Sequence, residues 1–346
     1  MEEKELIEVT NLTKIYGDHA AVRNLSFKLV NGRIYGLLGP NGAGKSTTMN
    51  MMTGCLAPTY GTVSINGYDI YEQPLDAKRF IGYLPEQPPL YTDMTPEEYL
   101  TFVAEAKGVL PSRLKRQVEQ VMERTNITDM KDRLIKHLSK GYCQRVGIAQ
   151  AMLGDPEIII LDEPTVGLDP KQIFEIRELI RTLSEQCTII ISSHILAEIS
   201  ELCDELLVIS NGSLVASGTL EELEQMLGDT QTLHLTVRGD SEGVCAVLDM
   251  IEGASDYEHM PATEEGTVRL SIRISRGADL RDDIFFKMAE SRYAVLSMEY
   301  EQQTLESVFL TLTEQAPAEQ EPTEHASVTE KPDAQAEIGQ EEGSEQ

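Results

Sequence analysis

The chain has 346 residues, 41% of them apolar, which suffices for one large packed domain and a smaller one. Its formal net charge of −29 repels polyanions, so nucleic acid is not expected as a partner. The start MEEKELIEVT is acidic and apolar runs such as Ile158 to Leu161 are far too short for a bilayer, so neither a leader nor a membrane span is expected.

Taken in chain order, residues from Leu6 to about Gly218 alternate short β-rich runs with helical stretches, the pattern of an α/β domain with a largely parallel sheet. Leu6 to Val9, Leu25 to Leu29 and Thr62 to Ile65, the last followed by the turn Asn66-Gly67, predict an added antiparallel β region. Ile34 to Leu38 predicts a buried strand that leads through glycines into a helix, Thr47 to Met52. From about 88 to 153 the pattern is helical, opened by Thr95-Pro96-Glu97-Glu98, an N-cap, a proline in the first turn and a capping-box glutamate. Ile158 to Leu161 and Thr188 to Ser192 are almost wholly apolar, as strands covered on both faces are, and their carboxyl ends are where a ligand is expected.

After the capping box Thr219-Leu220-Glu221-Glu222 the text changes. Leu233 to Val237, Val268 to Ile274 and Ala294 to Tyr300 predict strands; Gly243 to Ile251, Leu280 to Met288 and a run from Thr304 predict helices. The expected organisation is a first domain over 5–220 with its helical insert at about 88–153, a small α+β accessory domain over 230–313 with a regulatory or partner-binding role, and a disordered acidic tail over 315–346.

Chemistry concentrates in two places. Gly39-Pro40-Asn41-Gly42-Ala43-Gly44-Lys45-Ser46-Thr47 fits the G-x4-G-K-[ST] spacing between an apolar strand and a helix. Glycines let the main chain curl so that successive N–H groups aim at phosphate oxygens, the helix N-terminus and Lys45 add positive charge, and the Ser46 hydroxyl suits Mg²⁺. ATP is the expected ligand. At the end of Ile158 to Leu161, Asp162 suits the Mg²⁺ shell and Glu163 can polarise an attacking water; alone the pair would read as a solvated strand end. Five scattered cysteines, Cys55, Cys143, Cys187, Cys203 and Cys245, contain no C-x-x-C pair, and no histidine has ligand spacing, so free thiols in a reducing cytoplasm and no structural metal are expected.

With these motifs in place, residues 5 to 218 resemble the nucleotide-binding subunit of an ABC (ATP-binding cassette) transporter. Tyr16 matches the residue that stacks on adenine, although a tyrosine before a turn also serves packing. Gln87 matches the glutamine that reaches metal and water, and His194 the switch histidine at the γ-phosphate, a helix cap being its other reading. Leu138-Ser139-Lys140-Gly141-Tyr142 looks like the family signature, with Lys140 and Tyr142 departing from it; Ser139 and Gly141 retain the donors for a γ-phosphate, and Lys140 would add charge toward a partner's nucleotide. Leu168-Asp169 looks like the loop that communicates across the dimer and is also a good helix start.

The resemblance implies a P-loop NTPase of the ABC-cassette fold, with Lys45, Gln87, Glu163 and His194 catalytic and Ser46, Gln87 and Asp162 around the metal. It further implies two cassettes, as a homodimer, sandwiching two ATP molecules, and a separate membrane permease that holds the chain at the cytoplasmic face of the cell membrane. Thr304 to Thr313 looks like the end of ATPases that serve ABC-2-type exporters; Leu305, Val308 and Leu312 would also share one face of an ordinary amphipathic helix. The competing reading is a soluble ABC-type ATPase of translation or DNA repair, disfavoured by one cassette, no long coiled-coil insert and the negative charge.

Overall fold

The computed structural model describes residues 5–225, 230–261, 264, 266–275 and 278–300, all within one compact unit, Met1–Ala316. In chain order its elements are β1 (Glu5–Tyr16), β2 (His19–Val30), β3 (Ile34–Leu38), α1 (Lys45–Met52), β4 (Tyr60–Ile65), β5 (Tyr68–Asp69), α2 (Pro74–Lys78), β6 (Ile81–Leu84), α3 (Pro96–Ala106), α4 (Pro111–Arg124) and α5 (Lys140–Met152). They continue as β7 (Ile158–Leu161), α6 (Pro170–Ser184), β8 (Thr188–Ser193), α7 (Leu196–Ile199), β9 (Glu205–Ser210), β10 (Ser213–Gly218), α8 (Leu220–Gln225), β11 (Thr230–Arg238), α9 (Ser241–Leu248), β12 (Tyr257–Met260), β13 (Thr267–Ser275), α10 (Arg281–Glu290) and β14 (Ala294–Tyr300).

A six-stranded sheet of order β10-β9-β3-β8-β7-β6 forms the centre. All its pairings are parallel except that of β10 with β9. Period two decides where each side chain goes. Ile159, Leu161, Ile189 and Ile191 face a core shared with α3 to α6, whereas Ile158, Ile160, Ile190, Tyr35 and Leu37 face a second core under the antiparallel sheet. Apolar residues at consecutive positions are therefore what these strands require.

The antiparallel sheet, β2-β1-β4-β5, is longer than its sequence suggests. The alternation in β1 breaks after Val9 because Asn11 takes φ 49° and the register shifts between Val9 and Leu12; beyond this bulge the strand resumes to Tyr16. In the helical segment Thr95 Oγ1 accepts the Glu98 N–H at 3.3 Å while the Glu98 carboxylate accepts the Thr95 N–H at 2.9 Å, a complete capping box. The chain then makes two 3₁₀ turns, Thr128–Met130 and Ile135–His137, before α5.

A third sheet, β12-β13-β11-β14, is antiparallel throughout and, with α9 and α10, makes a split β-α-β-β-α-β unit. Leu233, Leu235, Leu270 and Ile272 pack there against Val244, Leu248, Ile284 and Met288. Strand β12 is additional to the expected elements, its polar sequence Tyr-Glu-His-Met offering no apolar alternation. The architecture is the α/β class expected: a largely parallel core, an antiparallel β layer, a helical segment and a small α+β unit. The run from Thr304 and the acidic stretch 315–346 lie outside the described residues.

The helical segment closes on the sheet at Gly82 of β6, where a Cβ would overlap the Ala151 carbonyl oxygen at the end of α5. Gly82→Ala should lower stability by about 1–3 kcal/mol, the range for overpacking a filled site, and urea unfolding checks this.

Candidate functional site

Parallel register brings the carboxyl ends of β3, β7 and β8 together, with Leu38 opposite Ser193 and Leu161 opposite Ile191. The loop from Gly39 to Gly44, then Asp162 and Glu163, and then His194 thus leave the sheet at one edge. Gly44 precedes α1 at φ 102°, and a Cβ there would stand 2.5 Å from Ala21 O, so the turn needs glycine. The loop is tied down by Ala43 N–H to Pro40 O at 3.1 Å and by Gly212 N–H to Ala43 O at 3.0 Å.

Helix α1 has no side-chain cap and no acidic residue in its first turn, which leaves its leading N–H groups and the positive end of its dipole for an anion. The Lys45 side chain, 6% exposed, donates to Gly39 O at 2.8 Å and Pro40 O at 3.3 Å. Its ammonium also lies 3.4 Å from Glu163 Oε1.

Asp162 is buried beside Ser46 and Ser192. Its Oδ1 accepts from Ser192 Oγ–H at 2.6 Å and from Ser46 Oγ–H at 3.2 Å. Burial raises its pKa, opposed by these two hydrogen bonds and by Lys45, with Glu163 adding to the rise. A hydroxyl and a carboxylate side by side at an anion-binding helix end are hard oxygen donors of the kind Mg²⁺ takes together with phosphate. Ser46 and Asp162 would hold the ion, and its charge would offset that of the phosphates.

Glu163 adopts φ 47°, unusual for a residue with a side chain, and donates its N–H to Ser192 Oγ at 2.8 Å. Its carboxylate sits between Lys45 and His194, whose Nδ1 is 3.1 and 3.0 Å from Oε1 and Oε2. A carboxylate only accepts, so Nδ1 carries the proton, and Nε2 has no hydrogen-bond partner among the described residues. A positively charged amine, a base held by an imidazole and a hydroxyl–carboxylate pair suit phosphoryl transfer to water.

The remaining expected residues stand apart from this cluster. Tyr16 is half exposed on the β1–β2 hairpin, with Lys14 Nζ 5.2 Å over its ring; the same hairpin touches Gly44 through Ala21. Gln87 is exposed just beyond β6, whose Leu84 O accepts the Asp162 N–H at 2.9 Å, but among the described residues no hydrogen bond joins Gln87 to the cluster. Ser139 caps α5, its Oγ accepting the Tyr142 N–H at 3.4 Å, and Gly141 lies under the Gln172 amide, where a Cβ would be 2.8 Å away. Neither bonds to the phosphate loop among the described residues. The Lys140 ammonium lies against Gly167 of its own chain, and Tyr142 donates to Asp129 at 2.9 Å. Asp169 caps α6, accepting the Gln172 N–H at 2.9 Å.

Ser192 is the residue that sequence reading misses. Its signal is slight: the first of two serines that follow three isoleucines, recognisable only once β7 and β8 are paired.

A family model described as "ABC transporter" matches residues 22–166. The linearmycin resistance ATP-binding protein LnrL of Bacillus subtilis is 31% identical over 309 residues, covering 89% of this chain and 98% of that protein. The bacitracin transport ATP-binding protein BcrA of Bacillus licheniformis is 33% identical over 309 residues, covering 89% and 97%. Among solved structures, an ATP-binding subunit of an ABC transporter aligns with TM-score 0.59 and 34% identity over 64% of this chain and 93% of that one. The cbiO1 protein of Clostridium perfringens, part of the transporter complex cbiONQ, aligns with TM-score 0.59 and 28% identity over 64% and 91%.

Lys45→Met keeps the length of the stem and removes the ammonium. ATP affinity, measured by titration calorimetry, should fall about 10- to 150-fold, the equivalent of one charge-assisted hydrogen bond of about 1.5–3 kcal/mol.

Proposed function

Because the chain belongs to the ATP-binding proteins of ABC transporters and is an ATPase, we propose that it energises a separate membrane permease, an exporter, through ATP-driven closure of two cassettes. The observation that carries this reading is the Lys45–Glu163–His194 contact at the mouth of the phosphate loop. Glu163 polarises the attacking water, His194 offers Nε2 to the γ-phosphate, and Ser46 and Asp162 would hold Mg²⁺. Tyr16 stacks on adenine. Gln87 would reach the metal and the attacking water, and Ser139 and Gly141 of a second, identical cassette would supply the facing donors. An exporter suits the two relatives named for linearmycin resistance and bacitracin transport. The alternative of a nucleic-acid-linked ATPase finds no support in a chain of charge −29.

No described helix is long and apolar enough to cross a membrane, so on this reading the membrane path lies in the partner. A docking place is available one loop from Gln87. The rings of Tyr91 and Phe102, both exposed, stand 5.4 Å apart beside a groove of about 470 Å³ lined by Thr95, Glu97, Glu98, Glu105 and Asp132. Aromatic anchors ringed by carboxylates suit a cytoplasmic helix that carries an apolar residue flanked by lysines or arginines.

Glu163→Gln should bind ATP, lose turnover by about 100-fold or more and accumulate as an ATP-bound dimer in light scattering. A rate within a few-fold of the parent would remove Glu163 from this role. A membrane protein encoded by an adjacent reading frame should co-purify with the chain, and Glu97→Lys with Glu105→Lys should abolish that association; undiminished co-purification would place the permease elsewhere.

A further inference from the structure

Ser192 is wholly buried and makes two hydrogen bonds, one of them to a backbone N–H that no other described side chain in the cluster reaches. It gives its only proton to Asp162 Oδ1 at 2.6 Å and takes the Glu163 N–H at 2.8 Å. The direction of both bonds is forced, because a carboxylate only accepts and a backbone N–H only donates. The hydroxyl therefore links the side chain of one acidic residue to the backbone of the next.

That link meets a local need. The β7–β8 ladder runs to Leu161 opposite Ile191, and Glu163 then swings to φ 47°, a conformation that a residue with a side chain holds only when its surroundings impose it. Turned this way, its N–H leaves the ladder and would be buried without a partner, were Ser192 Oγ not there. The turn aims the Glu163 carboxylate at Lys45 and His194 instead of along the strand.

We infer that Ser192 is a positioning residue for ATP hydrolysis: it holds Glu163 in its left-handed turn and fixes the Asp162 carboxylate beside Ser46, without touching nucleotide itself. Packing alone does not call for a serine here. A buried position at the end of an isoleucine strand accepts valine at least as well, and valine has the shape of threonine without its hydroxyl. The two replacements therefore separate a hydroxyl role from a volume role.

This inference rests on Glu163 and Asp162 acting as proposed above, and Glu163→Gln serves as the reference. In the full chain, Ser192→Val should keep its melting temperature within a few degrees and its ATP affinity within about threefold, yet lose at least tenfold in kcat. Ser192→Thr should stay within about threefold of the parent in kcat. Mn²⁺ binding in the presence of ADP, followed by electron paramagnetic resonance, should weaken at least threefold in Ser192→Val and not in Ser192→Thr. Ser192→Ala, free of overpacking, replaces the valine variant if that one melts early. Equal kcat and Mn²⁺ affinity in the valine and threonine variants, with Glu163→Gln inactive, would overturn the role of Ser192 and leave that of Glu163 standing. Turnover retained by Glu163→Gln would remove both.

Discussion

Lys45 and Glu163 face each other at 3.4 Å with side chains only 6% and 8% exposed, and Asp162 is buried next to them. Charges removed from water lose more hydration than one partner restores unless further dipoles are supplied. The surrounding residues supply them. Gly39 and Pro40 turn carbonyls onto the ammonium, Ser46 and Ser192 turn hydroxyls onto Asp162, and His194 turns Nδ1 onto Glu163. The cluster stands on backbone features that carry their own steric demands: no Cβ at Gly44, positive φ at Glu163, and Ser192 one residue before the end of β8.

Such a cluster has to sit where several strands stop together, because no single segment can bring a lysine, two carboxylates and an imidazole to one point. Parallel pairing of β3, β8 and β7 achieves this: residues that follow Leu38, Leu161 and Ser193 emerge at one edge although Leu38 precedes the other two by more than a hundred residues in sequence. The alternation of Ile158 to Leu161 between two cores holds β7 from both sides, so the carboxylates at its end inherit the rigidity of the sheet. The demands on fold and site coincide there. A slip of one residue in β7 would exchange its cores and move Asp162 away from Ser46.

What was legible in the sequence follows from how local each feature is. The phosphate loop is nine contiguous residues whose glycines, lysine and serine act within one turn, and Asp162-Glu163 likewise adjoin, so both announce their chemistry. The capping box at Thr95 is read from a four-residue window and forms as such. Ser192 was illegible because its meaning comes from strand pairing across thirty residues. Strand β1 was cut short in sequence terms because a bulge at Asn11 resets the alternation, and β12 carries no apolar period. Gln87, Ser139 and Gly141 are a different case: their resemblance to family motifs names them, yet the chain by itself leaves them outside the cluster.

That separation has a physical reading. Among the described helices α1 starts uncapped at a glycine, whereas α5 starts at Ser139, whose Oγ accepts the Tyr142 N–H at 3.4 Å. The first collects Lys45, Ser46, Asp162, Glu163 and His194 around it; the second has none of these. Gly141 is pinned beneath Gln172 and Arg145 is paired with Glu175 at 2.6 Å, so α5 is held against α6. With the Lys140 ammonium turned onto Gly167, the α5 end by itself cannot rival for a polyphosphate the α1 end, where Lys45 lies over the loop. On the proposed function each end is half of a site, and the γ-phosphate of ATP carried by one cassette is the anion that the α5 end of the other receives. Nucleotide then acts as the adhesive between copies, and its hydrolysis removes the group that both halves share.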